Sequence, residues 1–176
     1  MLSVDANIMK TKIRKGVIAV AGSGTRFLPA TKSQPKEMLP IVDKPIIQYV
    51  VEEMVDAGIE DIILVTKWDK KTLEDHFDRS FELEHSLEEA GKTKLLNEVR
   101  RVSSMANFIY VRQKGPYGNG TPILSASALL NDEPFVFAWG DDLVLSKTSF
   151  TKQLMDNYEN YSAPVIGVQS VDPEHV

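Results

Sequence analysis

Three short segments carry residue types suited to chemistry on a phosphate chain. The first reads Ala21-Gly22-Ser23-Gly24-Thr25-Arg26-Phe27-Leu28-Pro29 and continues to Pro35-Lys36-Glu37-Met38-Leu39-Pro40. Gly22 and Gly24, one residue apart after an apolar run, permit a tight turn whose backbone N–H groups approach a ligand closely. Phe27 stands where a dinucleotide fingerprint needs its third glycine, and no Gly-Lys-Ser/Thr follows at Walker A spacing. The distinctive additions are Arg26 and Lys36. A guanidinium clamps phosphate oxygens bidentately, and an ammonium supplies a compact charge for a developing oxyanion. Residues 10–44 hold eight basic and two acidic side chains, in a chain whose net charge is −5. Positive charge is thus gathered beside the glycine turn. Lys32 and Lys44 read as solvated; Arg26 and Lys36, pinned among glycines and prolines, read as functional.

The second segment is Gln113-Lys114-Gly115-Pro116-Tyr117-Gly118-Asn119-Gly120. Glutamine offers a donor and an acceptor, matching the edge of a nucleobase, and Gly118 lets backbone amides come near it. A glycine-rich turn with a solvated Gln113 fits the same residues equally well. Tyr117 offers a ring for stacking but reads first as a partly packed loop residue. The third segment, Gly140-Asp141-Asp142, follows an apolar run. Adjacent carboxylates suit Mg²⁺, which prefers oxygen ligands and keeps waters and substrate phosphates in its shell. Neighbouring side chains point different ways, so one of the two is expected on the metal. A turn cap is the other reading.

These segments need a scaffold, and the chain reads as strand alternating with helix. Residues 16–21 (GVIAVA), 62–66 (IILVT), 107–111 (NFIYV), 135–139 and 164–168 read as buried strands. Helices are expected with Pro45 as first residue and Gly58 as stop, then over 70–77, 81–91, 94–101 and 149–158. A further helix over 121–130 takes Thr121 as N-cap and Pro122 as first residue. Residues 22–40 are a long connection without helical periodicity, a length usually reserved for function. Alternation of this kind implies an α/β fold, a doubly wound, mostly parallel sheet with helices on both faces. Ligands then bind beyond the carboxyl ends of the strands, where all three segments fall.

With 176 residues, 43% of them hydrophobic, the chain suffices for one sizeable core. A polar leader over 1–15 and, over 16–176, the nucleotide-binding part of a single domain are expected. The acidic balance excludes a nucleic-acid coater or anionic-membrane binder. The apolar run 17–21 is too short for a signal peptide or membrane span. The absence of cysteine excludes disulfides, thiolate metal sites and a cysteine nucleophile, and fits a reducing cytoplasm. His76, His85 and His175 match no ligand spacing, and Glu82, Glu84, Glu88 and Glu89 read as a solvated helix face. The sequence stops soon after residues 164–168, with no helix to cover that strand. An N-terminal portion of a longer enzyme is therefore expected.

Taken together, GSGTRFLP and PKEMLPIVDKPIIQYVVEE resemble the sugar nucleotidylyltransferases, and EDHFDRSFELEHSLEEAGK and YVRQKGPYGNG resemble the bacterial uridylyl branch rather than the thymidylyl one. The likeness runs from about Lys15 to the end of the chain. It implies a glycosyltransferase-A-like Rossmann fold and reaction of UTP with glucose 1-phosphate to give UDP-glucose and pyrophosphate. By position it makes Arg26 and Lys36 the phosphate-contacting catalytic pair. Ala21, Gly22, Gly24, Thr25, Glu37, Gln113 and Gly118 become nucleotide contacts, and Asp141 the Mg²⁺ carboxylate. One departure is visible: Gly120-Thr121-Pro122 stands where the family usually has a Gly-His-Ala type segment. The resemblance puts a glucose-binding Glu-Lys pair, a second metal aspartate and a homo-oligomer-forming region beyond Val176. Other readings are a nucleotidylyltransferase using another nucleotide, a sugar-transferring glycosyltransferase, and a non-catalytic nucleotide-binding fragment or subunit.

Overall fold

The structure, a computed structural model, describes residues 12–116, 118–172 and 174. Its first strand is Lys15–Ala19 (β1), followed by the two-residue strands Pro40–Ile41 (β2) and Lys44–Pro45 (β3), then Asp61–Thr66 (β4), Asn107–Arg112 (β5) and Phe135–Trp139 (β6). The helices are Ile46–Asp56 (α1), Lys71–Phe77 (α2), Phe81–Glu89 (α3), Thr93–Ser104 (α4), Thr121–Leu130 (α5) and Phe150–Tyr161 (α6). Four strands pair in the order β5-β4-β1-β6, every pairing parallel, while β2 and β3 form a small antiparallel hairpin.

Strand periodicity sorts the core into two layers. Ile18, Val20, Ile62, Leu64 and Val136 face one side, against Ile47, Val50, Val51 and Met54 of α1, Leu73 and Phe77 of α2, Val102 of α4 and Met155 of α6. Val17, Ile63 and Val65 face the other, where Ala126 and Leu130 of α5 cover them. Helices thus lie on both faces, unequally. The connections β1 to β4 and β4 to β5 move outward in one direction. The chain then returns to place β6 on the opposite side of β1. The reversal opens a crevice beyond the carboxyl ends of β1 and β6.

Several local expectations need correction. Residues 164–168 form no strand: Ile166 and Val168 are 82% and 88% exposed, and no strand among the described residues pairs with them. Pro45 is not the first helical residue but the cap before it, extended at ψ 150 and paired with Pro40. Gly120, not Thr121, caps α5; the Thr121 hydroxyl donates instead to the Pro116 carbonyl at 2.9 Å. Glu84 is not solvated but 3% exposed, gripped by Arg79 and Arg100. The long connection 22–40 is not featureless. It folds into short 3₁₀ turns at Thr25–Phe27, Ala30–Lys32 and Lys36–Met38. Residues 1–11, Tyr117, Pro173, His175 and Val176 lie outside the described residues, and with them most of the expected leader and the Tyr117 ring; of the leader's described end, Ile13 is buried in the core and Lys15 already belongs to β1.

Candidate active site

The crevice between β1 and β6 is lined by the loops that leave those strands. Beyond β1 the backbone turns at Gly24, whose φ of +65° favours glycine. The Thr31 hydroxyl donates to the Gly24 carbonyl at 2.7 Å, folding the first loop back on itself. A side chain at Gly24 would meet Thr31 and the Lys36 Cβ at 3.2 to 3.4 Å, and one at Gly22 would meet the Lys36 Cε at 3.5 Å. The contact at Gly22 is an ordinary van der Waals one, so it is Gly24 whose missing side chain lets Thr31 and the Lys36 stem close on the turn.

Lys36 occupies the 3₁₀ turn Lys36–Met38, closed by Met38 N–H donating to the Pro35 carbonyl at 3.0 Å. Its ammonium donates to Asp141 Oδ2 at 2.6 Å, with the two side chains 17% and 22% exposed. Asp141 is delivered by β6, whose following amide, Gly140 N–H, still bonds the Ala19 carbonyl at 3.1 Å. The structure thus joins the first and third segments directly across the crevice. Burial, then the neighbouring Asp141 charge, pushes the Asp142 carboxyl up from its ordinary value.

Glu37, adjacent to Lys36, is wholly buried. Lys70 donates to its Oε2 at 2.8 Å, while Oε1 is buried without a hydrogen-bond partner. Burial raises the Glu37 pKa, and the Lys70 charge opposes that rise. A side chain at Gly140 would meet Val20, Ile47 and the Glu37 Cγ, the first at 2.5 Å. Glycine there lets β6 close over Glu37.

Arg26, in the turn Thr25–Phe27, is exposed beside Gly24, and among the described residues no hydrogen bond or ion pair holds its guanidinium. Thr25 is exposed and Ala21 is buried at the end of the β1 run. Gln113 continues the β5 ladder, its N–H donating to the Thr66 carbonyl at 2.8 Å, and its side chain is partly exposed. Gly118 is exposed, with its carbonyl accepting from Thr121 N–H at 3.1 Å. Gln113 and Gly118 thus belong to the β5 tip, one strand beyond β4 from the Lys36–Asp141 pair.

The β4 tip, between the other two, escaped sequence reading. It carries Lys67, which donates to Ser23 Oγ at 3.4 Å, the exposed Trp68, and Lys70. The carboxyl-edge rule points to this tip as much as to the others, but Lys67-Trp68-Asp69-Lys70 lacks the glycines that mark a ligand loop.

The donor set bears on a metal. Among the described residues no group of three or more His, Cys, Asp or Glu side chains forms a metal cluster. Asp141, with Asp142 beside it, fits an ion such as Mg²⁺ that takes one or two carboxylates and draws its other ligands from phosphates and water.

A doubly wound sheet with a cationic glycine loop facing a carboxylate at the strand-order reversal defines a nucleotide-handling α/β protein. Residues 15–175 match the nucleotidyl transferase family, and the chain belongs to it. It is 56% identical over 168 residues to UTP--glucose-1-phosphate uridylyltransferase YngB of Bacillus subtilis (strain 168), covering 96% of this chain and 57% of that protein. It is equally 56% identical over 160 residues to a UTP--glucose-1-phosphate uridylyltransferase of Staphylococcus epidermidis, covering 91% of this chain and 56% of that one. The UTP-bound UGPase from Acinetobacter baumannii superposes with a TM-score of 0.81 at 43% identity, over 86% of this chain and 54% of the other. A UDP-glucose pyrophosphorylase complexed with UDP-glucose gives a TM-score of 0.73 at 44% identity, over 86% and 55%. The chain therefore spans little more than half the length of the relatives it matches.

Proposed function

We propose that this chain is the nucleotide-binding part of a UTP–glucose-1-phosphate uridylyltransferase, working on UTP and glucose 1-phosphate to give UDP-glucose and pyrophosphate. The observation that carries this reading is the Lys36–Asp141 contact at the strand-order reversal. It brings a cation for phosphate oxygens and a carboxylate for a metal to one point. The names and ligands of the relatives support the choice of nucleotide and sugar.

In this reading an oxygen of the glucose 1-phosphate phosphate attacks the α-phosphorus of UTP in line. The new O–Pα bond forms as the bond from Pα to the bridging oxygen breaks, and pyrophosphate leaves with that electron pair. No covalent enzyme intermediate is needed, so positioning and electrostatics suffice. Lys36 stabilises the charge on the α-phosphoryl oxygens. Arg26, exposed at the mouth, clamps the β and γ phosphates. Gly22, Gly24 and Thr25 supply turn amides. Asp141 would hold Mg²⁺, which when bound neutralises phosphate charge.

The base is read between Ala21 and the Gln113–Gly118 loop, with the Glu37 region as floor. Those tips flank β4 and lie two strand spacings apart, about 10 Å, a width that fits a pyrimidine with hydrogen bonds at each side. We further read the protein as cytoplasmic and homo-oligomeric in its full form. No helix among the described residues is long and apolar enough to cross a membrane.

Calorimetry of this chain with UTP and Mg²⁺, beside an assay of UDP-glucose formation, tests the reading. Micromolar binding of UTP, weakened tenfold or more but still measurable in Lys36→Ala, is expected, on the order of the loss of one charge-assisted hydrogen bond. Indifference to UTP overturns it. Binding without turnover supports the second reading, a nucleotide-binding portion inactive alone, which its 57% share of YngB's length favours.

A further inference from the structure

Beneath the crevice lies the most deeply buried ion pair among the described residues: Lys70 and Glu37, side chains 4% and 0% exposed, at 2.8 Å. Burying two opposite charges is costly, and an apolar pair of similar volume often packs as well or better. As glue, the pair is a poor choice. Its placement offers another role.

Of residues 22–40, only Pro35 and Glu37 are buried, and they flank Lys36. The loop is otherwise exposed or half-exposed, and with Met38 packed against the core as well, its hold on the core is concentrated in residues 35–38. In a 3₁₀ turn successive side chains point about a third of a turn apart. Sending Glu37 inward therefore directs Lys36 sideways, toward Asp141. Oε1 of Glu37 has no partner, so Lys70 is the one side chain hydrogen-bonded to this carboxylate among the described residues. Lys70 is itself firmly mounted. Its amide donates to the Lys67 carbonyl at 3.2 Å, and its carbonyl accepts from Leu73 N–H at 3.0 Å. Leu73 and Phe77, on the helix that follows, are 1% exposed in the core.

We propose that Lys70 is a positioning residue for nucleotide binding and transfer: by anchoring Glu37 to the start of α2, it fixes the turn that presents the Lys36 ammonium to the nucleotide's phosphates. Lys70 touches no reacting atom. The role rests on the function proposed above, and nothing in the sequence motifs points to it.

A double-mutant cycle on this chain tests it, with UTP affinity in Mg²⁺ measured by calorimetry and melting temperature followed in parallel. Lys70→Met is expected to weaken UTP binding about tenfold, within the range of coupled contacts. In a Lys36→Ala background the same change is expected to cost nothing further, because its route runs through Lys36. Lys70→Met combined with Glu37→Gln removes the stranded buried charge. That variant is expected to melt near the wild type yet keep the weakened binding. The proposal is overturned if the Lys70→Met loss multiplies with that of Lys36→Ala, or if the Glu37→Gln/Lys70→Met chain binds UTP as the wild type does. A wild-type chain that binds no UTP instead brings down the nucleotide reading, a result distinct from binding that is indifferent to Lys70.

Discussion

The Lys36 ammonium lies 2.6 Å from an Asp141 carboxylate oxygen, although 105 positions separate the two residues. Neither belongs to a strand or a long helix. Each is carried on a loop leaving one of two adjacent parallel strands, and the sheet's register brings Ala19 opposite Trp139 to set their meeting point.

That pair predicts a separation of activity from stability. Under the proposed function, Lys36→Ala and Asp141→Asn are each expected to lower the rate of UDP-glucose formation by roughly 10²- to 10³-fold, the scale for a lost transition-state donor or charge. Desolvation offsets much of the attraction in a pair this far withdrawn from water, so the pair adds little net stability. Melting temperatures of both variants should therefore stay close to the wild type while steady-state assays of pyrophosphate release show the loss.

Metal dependence should reveal a shared rather than a protein-made site. With Asp141 as the proposed protein donor, Mg²⁺ alone is expected to bind only at millimolar levels or weaker, because phosphates must complete its shell. Chelation with EDTA should weaken UTP affinity about tenfold or more, and Asp141→Asn should abolish that sensitivity. Calorimetry with and without the chelator reads both.

Gly140→Ala tests the closure of β6 over Glu37. The added methyl would stand 2.5 Å from a Val20 methyl carbon, with Ile47 and Glu37 close behind. Overpacking of this kind costs about 1–3 kcal/mol. Gly120→Ala, with nothing within 4 Å of the new atom, should cost about 0.5 kcal/mol, the loss of a preferred cap. Denaturant unfolding of the two variants should show the difference.

Glu84 predicts a contribution that disappears in acid. Hydrogen bonds from Arg79 and then Arg100 hold its carboxyl down to about 2, against an ordinary 4.5. A carboxyl depressed in the folded state stabilises the fold fully above its unfolded value and loses that contribution as pH falls through the folded one. The melting temperature of Glu84→Gln should lie below wild type at pH 6 to 7. The gap should narrow as pH drops from about 4.5 toward 2. A gap independent of pH would contradict the ion-pair account.

Much of the scaffold was legible because the buried parallel strands are short apolar runs that end in glycine or polar residues, as 16–21 and 62–66 do. The alternation with helices followed from the same pattern. Residues 164–168 show where this fails: Pro-Val-Ile-Gly-Val has strand composition, but composition becomes a strand only against a neighbour, and no strand among the described residues is beside it. Glu84 looked solvated because it sits in an acidic run; only folding brings Arg79 and Arg100 onto it. Lys36 and Asp141 stood out by residue type, and the fold brings the two together. Lys70 did not, since one lysine at a helix start carries no signal until its partner 33 positions away is known.

The strand order has a consequence for assembly. β1, β4 and β5 can zip together as they are made, each beside its predecessor, but β6 has to travel back and dock on the flank of β1 that faces away from them. Until it does, that flank stands bare and Lys36 has no carboxylate to meet. During synthesis the Lys36–Asp141 contact would thus wait for β6, and a nascent chain ending before residue 141 would carry Lys36 without the carboxylate it meets in the fold.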